Sequence, residues 1–178
     1  MRKLRMSELG RLENEDFKAA QKHPFSIALD DVRSLLNVGS VFRSADAFRC
    51  TEIILGGLSA EPSREMQKTA LGAQDTVAWR STNNLPEQLK ALKAEGHKLF
   101  AVEQTDESLK LQEWQIPWPD HTVLVFGHEV SGVSDACLAL CDGALEIPQF
   151  GTKHSLNIAV SAGLVMWEYT RQYLKKAR

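Results

Sequence analysis

Six short apolar runs, at 25–29, 52–55, 76–79, 98–102, 122–126 and 144–147, are separated by amphipathic stretches, and this alternation restricts the fold more than any other feature. Runs rich in Val, Ile, Leu and Phe suit strands covered on both faces, and the amphipathic stretches between them supply helices as the cover. The expected fold class is therefore α/β, a mostly parallel sheet flanked by helices. Helices are predicted at 7–21, 38–48, 64–71, 85–95, 134–140 and 156–174. In the second, Val38, Val41, Phe42, Ala45 and Phe48 recur at helical spacing, so one face meets the sheet. The stretch 104–121, with Trp114, Pro117, Trp118 and Pro119, reads as the longest connection, either functional or an anchored surface loop.

A chain of 178 residues fits one domain with a proper core. Its 21 Lys and Arg against 23 Asp and Glu leave a net charge of −2, so any surface for nucleic acid must be local. Arg2, Lys3 and Arg5 cluster near one end, and Arg171, Lys175, Lys176 and Arg178 near the other; taken separately, each cluster reads more readily as a solubilising tail. Cys50, Cys137 and Cys141 lack zinc or disulfide spacing and read as reduced thiols. The only long apolar stretch, 156–167, is too short to span a membrane, and no apolar leader precedes the first helix. A cytoplasmic protein without a membrane partner is expected.

Three polar clusters stand at predicted strand ends or helix starts. In the first, Asn37 precedes Gly39 and Arg43; Asn37 is a natural N-cap, and Arg43 taken alone reads more readily as a solvated or snorkelling side chain than as a functional one. In the second, the strand 122–126 runs into Gly127-His128-Glu129, with Gly132 and a capping Ser134 behind it. Ligands of open α/β sheets bind beyond the carboxyl ends of strands, although a tight turn with exposed polar residues fits the same letters. In the third, Ile147-Pro148 leads through a Gly-Thr-Lys loop to Ser155-Leu156-Asn157, at the mouth of a helix so apolar that it belongs in an interior or an interface. Ser155 is either its N-cap or a ligand-binding hydroxyl near free backbone N–H groups. Dinucleotide, phosphate-loop, H-E-x-x-H and G-x-S-x-G motifs are all missing, and no His, Cys and carboxylate cluster has metal spacing.

Taken in order, Asn37-x-Gly39-x-x-x-Arg43, Phe126-Gly127-His128-Glu129 with Gly132, and Ile147-Pro148 followed by Ser155-Leu156-Asn157 resemble the three motifs of the SpoU (TrmH-like) RNA 2′-O-ribose methyltransferases of the SPOUT superfamily. The resemblance covers about residues 25–173, leaving 1–24 as an N-terminal helical extension of a single methyltransferase domain at 25–178. His128 stands where the family commonly has Asn, Gln149 where Met is common, and Ile158-Ala159-Val160 where Val-Ser-Val is frequent.

The resemblance implies a C-terminal deep trefoil knot, a homodimer with its active site near the subunit interface, and S-adenosylmethionine as cofactor without a metal. It implies cofactor contacts at Gln104, Thr105, Gly127, Ile147 and Leu156. It assigns the reaction on a ribose 2′-hydroxyl to Arg43, with Asn37, Glu129, Ser155 and Asn157 orienting the reactants. An arginine is too weak an acid to serve readily as a base, so Arg43 is expected to hold a neighbouring phosphate and acidify the hydroxyl. The RNA partner is tRNA or rRNA, with tRNA favoured because no separate RNA-binding domain is visible. Arg33, Arg43, Arg49, Arg64 and Lys153 are further candidates for RNA contact, with Arg64 and Lys68 one helical turn apart. A knotted RNA-binding module with weak or no catalysis is the alternative.

Overall fold

In the computed structural model, which describes residues 1–177, the expected runs become seven strands of one sheet. They are β1 (Phe25–Asp30), β2 (Glu52–Gly56), β3 (Ala78–Thr82), β4 (Lys98–Val102), β5 (Leu109–Lys110), β6 (Thr122–Phe126) and β7 (Gly143–Glu146), in the order β3-β2-β1-β6-β4-β7-β5. Every hydrogen-bonded pair of neighbours is parallel. The helices are α1 (Asn14–Ala19), α2 (Leu35–Ala47), α3 (Gln67–Ala70), α4 (Leu85–Ala94), α5 (Asp135–Leu138) and α6 (Ile158–Lys176).

The central strands β1 and β6 are buried on both faces, since successive side chains point to opposite sides and helices cover each side. From β6, Leu124 and Phe126 join Val38, Val41 and Phe42 of α2 and Ala162, Val165 and Met166 of α6. Val123 and Val125 instead join Leu85, Leu89 and Leu92 of α4 and Cys137 of α5. The α1 residue Phe17 packs into the first of these cores, so the N-terminal extension is fastened to the domain.

Several boundaries move for identifiable reasons. The N-terminal helix expected at 7–21 is broken at Gly10, which has a positive φ, into a 3-10 turn at Met6–Glu8 and the short α1. The helix expected at 64–71 is the shorter α3, ended by Leu71 and Gly72, which both turn left-handed, and Arg64 falls before its start, so Arg64 and Lys68 share no turn of it. The strand expected at 76–79 starts two residues later, since Thr76 closes a 3-10 turn and its hydroxyl donates to Asp46 Oδ2 at 2.6 Å. Arg178 of the C-terminal basic cluster lies outside the described residues.

The long connection 104–121 holds the unexpected strand β5 and an anchor. Trp114 and Ile116 are buried, and the Gln172 side chain of α6 donates to Trp114 O at 2.7 Å and accepts from Ile116 N at 3.0 Å. Val102 of β4 and Leu109 of β5 both pair with Leu145 of β7, so residues 103–108 form an arch that crosses β7 near its end. The chain leaves β7 beside that arch and returns as α6 to pack on α2.

Candidate active site

The three polar clusters converge at the carboxyl ends of β1, β4, β6 and β7. Asn37 is not the N-cap of α2; Ser34 is, its hydroxyl accepting from Asn37 N at 3.3 Å. The Asn37 side chain is thereby released, one turn into the helix, to reach across the sheet end. Its Nδ2 donates to Glu129 Oε1 at 3.1 Å, while its Oδ1 accepts from Asn157 Nδ2 at 3.0 Å. Asn157, not Ser155, caps α6, with its Oδ1 accepting from Ala159 N at 2.9 Å.

One charge fixes the direction of this whole chain. An ionised carboxylate only accepts, so Asn37 must turn its NH₂ to Glu129; its carbonyl then takes the NH₂ of Asn157, whose own carbonyl is left for the helix N-terminus. Desolvation pushes the Glu129 carboxyl up, but hydrogen bonds from Asn37 and from backbone N–H groups, including Ser34 at 3.2 Å, outweigh it and hold the group below its ordinary value. Glu129 is therefore an anion at neutral pH, and the orientation of both amides is set.

Beside this chain lies a cavity of about 360 Å³. Of the residues expected at a cofactor, Gln104, Gly127, Ile147 and Leu156 line it and Thr105 does not; of those expected in catalysis, Glu129, Ser155 and Asn157 line it. Asn37 touches it only through its two hydrogen bonds. Arg43 is exposed and faces a second cavity, so the described protomer does not bring it together with the rest. Gln104 Nε2 donates to His154 O at 2.8 Å and so joins the arch to the Ser155 loop.

The loop 127–133 is a cradle that requires glycine at 127 and favours it at 132. A Cβ on Gly127 would stand 2.0 Å from Gly132 C, and Gly132 has φ +70° with its missing Cβ aimed at Glu103 Oε2, 2.1 Å away. His128 N and O bond reciprocally with Gly132 O and N at 3.0 and 2.9 Å. The His128 Nδ1 accepts from Val130 N at 3.1 Å, a service an amide oxygen could also perform. Glu103 is the residue sequence reading missed: its Oε2 accepts from Val133 N at 3.1 Å and its Oε1 from Gln104 N at 3.0 Å. Its place at the carboxyl end of β4 was the available signal.

The helix expected to be buried over 156–167 is buried on one side only. Leu156, Val160, Leu164 and Trp167 are 39, 51, 42 and 51% exposed and form one continuous stripe, with Leu36 of α2 also exposed. Among the described residues no group of three or more His, Cys, Asp and Glu could hold a metal ion, and no helix is long and apolar enough to cross a membrane.

A glycine cradle, an oriented acid–amide chain and a cavity at the carboxyl ends of a parallel sheet define a ligand-binding site of the open α/β class. The profile of the SpoU rRNA Methylase family matches residues 24–167, and the chain belongs to that family. It is 32% identical over 154 residues to the 23S rRNA (guanosine-2′-O-)-methyltransferase RlmB of Neisseria meningitidis, covering 86% of this chain and 60% of that protein. It is 28% identical over 170 residues to the tRNA (guanosine(18)-2′-O)-methyltransferase of Thermus thermophilus, covering 95% and 86%. A mouse tRNA (guanosine(18)-2′-O)-methyltransferase, TARBP1, is 32% identical over 140 residues, 78% of this chain but only 9% of that one. Among solved structures, an AdoMet-bound rRNA methyltransferase from Sinorhizobium meliloti superposes with a TM-score of 0.78 at 26% identity, covering 87% of this chain and 59% of the other. The A. aeolicus TrmH/SpoU tRNA modifying enzyme gives a TM-score of 0.81 with 92% and 83% covered; at 24% identity that likeness speaks for the fold alone.

Proposed function

We propose that the chain is an S-adenosylmethionine-dependent RNA methyltransferase acting on a ribose 2′-hydroxyl of tRNA or rRNA in the cytoplasm. The carrying observation is the hydrogen-bonded chain Glu129–Asn37–Asn157, which joins all three family motifs at the mouth of one cavity. The Thermus relative, matched over most of both chains, favours tRNA.

The cavity suits the cofactor. Its volume falls within the ~300–1,000 Å³ of ordinary ligand pockets, its walls include Phe126, Leu145, Ile147 and Leu156, and the glycine cradle exposes backbone that side chains would otherwise cover. Glu103 also lines it, a favourable neighbour for a cationic ligand, while Glu146 is paired with Lys110 at 2.6 Å. When bound, S-adenosylmethionine supplies an electrophilic methyl group on a sulfonium sulfur. The chain's own part is to present the hydroxyl. Ser155 and Asn157 hold the ribose, Glu129 fixes Asn37 and Asn157, and Arg43 binds the adjacent phosphate and lowers the hydroxyl pKa, the proton leaving to phosphate or water.

Two further features belong to this reading. Arg43 faces a different cavity from Ser155 and Asn157, and the apolar stripe Leu156–Val160–Leu164–Trp167 borders the site. A homodimer through α2 and α6 covers the stripe and lets one protomer's Arg43 serve its partner's cavity. Leaving the stripe in water would cost on the order of 25 cal/mol per Å². The trefoil knot is supported by the arch 103–108, beside which the chain passes from β7 before returning to α6.

Calorimetric titration with S-adenosylmethionine followed by methyl transfer to bulk RNA tests the reading. Cofactor binding with methyl incorporation is expected; RNA binding without either would establish the non-catalytic module instead.

A further inference from the structure

The second cavity, of about 530 Å³, lies where the N-terminal extension meets the C-terminal half of α2 and the 70–76 turn. The proposed reaction uses only one of its residues, Arg43. Arg11 and Arg49 stand around the same space, and among the described residues none of the three guanidinium groups makes a hydrogen bond or salt bridge to the protein. The one carboxylate in the lining, Asp46, already accepts from the Thr76 hydroxyl at 2.6 Å. Lys22 adds a further cation nearby, its ammonium 3.6 Å from the Phe17 ring centroid. Burial, then the charge of Arg49, push the Lys22 pKa down against the opposing pull of Asp46.

Three cations against one carboxylate leave the cavity with a positive potential that favours an entering anion. The floor has a different character: Leu12, Phe17 and Leu71 line it, and Leu71 is exposed. Cations that track a phosphate backbone are the electrostatic half of a single-stranded nucleic-acid groove, and exposed apolar side chains beside them can take up the apolar face of an unstacked base. Arg43, to which the proposed reaction assigns the reacting nucleotide, lines this cavity together with Arg11 and Arg49.

We infer that this cavity is a groove for the RNA strand flanking the methylated nucleotide, in which Arg11 and Arg49 bind phosphodiester oxygens and Leu12 and Leu71 bear on an unstacked base. The inference rests on the proposed reaction and extends it to residues 10–17, which lie outside the segment 24–167 matched by the family.

The test is a double variant, Arg11→Gln with Arg49→Gln, against Lys90→Gln, which removes an exposed charge from α4 on the opposite face of the sheet. Binding to bulk tRNA is measured by fluorescence anisotropy between 50 and 200 mM salt, and KM is then measured with whichever RNA the wild type methylates. The double variant should weaken RNA binding about tenfold or more and lower the slope of log affinity on log salt by about 1–2, while Lys90→Gln changes neither. Calorimetric affinity for S-adenosylmethionine without RNA should stay within about twofold, because neither arginine lines the first cavity. Unchanged RNA affinity and salt slope would overturn the groove, as would an equal loss in Lys90→Gln, which would mean diffuse attraction only. Loss of the dimer in sedimentation without loss of RNA affinity would assign the cavity to a second copy of the chain. If the wild type methylates no RNA, the reaction fails as a reading, and the anisotropy result alone still decides the groove.

Discussion

The two ends of the sheet treat polar groups in opposite ways. At the carboxyl ends, Glu129, Asn37 and Asn157 are hydrogen-bonded to one another yet open to a cavity. At the amino ends, His121 and His97 are stacked with ring centroids 4.7 Å apart, and His121 Nε2 lies 2.9 Å from Ser26 Oγ. His97 Nδ1 and His23 Nδ1 are buried there without a protein partner among the described residues. Burial, then the neighbouring His97, pushes His121 down to about 4, so the amino end keeps its imidazole neutral and inert. The contrast teaches where this fold can work: one end satisfies its polar groups and leaves them reachable, while the other sequesters them at a cost to stability in acid.

The largest effect is expected from Arg43→Ala, which should lower methyl transfer by ~10²-fold or more, about 2.7 kcal/mol, with cofactor affinity little changed. Arg43→Lys should restore part of an electrostatic effect but not a bidentate phosphate clamp. Mixing Arg43→Ala with Asn157→Ala protomers sharpens the point: a site shared between subunits regains activity in the mixed dimer, whereas a site within one protomer does not. Glu129→Ala comes next, by about 10–100-fold, because without its acceptor both amides lose their orientation. Rates that match the wild type would remove the acid–amide chain from the mechanism.

Smaller still is His128→Asn, expected to hold activity within about tenfold, since an amide oxygen can accept the Val130 N–H now taken by Nδ1. A collapse of turnover would give the imidazole a chemical role. The amino end should leave methyl transfer untouched and show itself only in stability. With His121 near 4 when folded and near ~6.5 when unfolded, the unfolded chain binds more protons between those values, so stability is full above ~6.5 and falls as pH drops towards 4. His121→Gln should flatten that slope in urea titrations at a series of pH values; an unchanged slope would place the acid sensitivity elsewhere.

The parallel α/β sheet and its two-sided cover were legible because buried strands are nearly continuous apolar runs, and 122–126 was placed to the residue. What escaped was set by contacts far apart in sequence. β5 has two residues and exists only because β7 lies beside it. Asn37 read as the cap of α2 and Ser155 as one of two readings at the start of α6, both plausible locally; Ser34 and Asn157 hold the caps, and the Asn37 side chain is engaged instead by Glu129, 92 residues away. Of the site, the three motifs were readable as letters, but their union in one hydrogen-bonded chain and the separation of Arg43 into another cavity were not. Nor was Glu103, whose role depends on Val133 being brought to it across the sheet end.

The most direct test of the central claim is the position of the transferred methyl group. Purified wild-type protein and Arg43→Ala are incubated with labelled S-adenosylmethionine and bulk tRNA or rRNA, and the RNA is digested to nucleosides for mass spectrometry. The carboxyl-end site predicts label in a 2′-O-methylnucleoside for the wild type and a loss of ~10²-fold or more in the variant. Label on a base, or near-normal ribose methylation by Arg43→Ala, would contradict it.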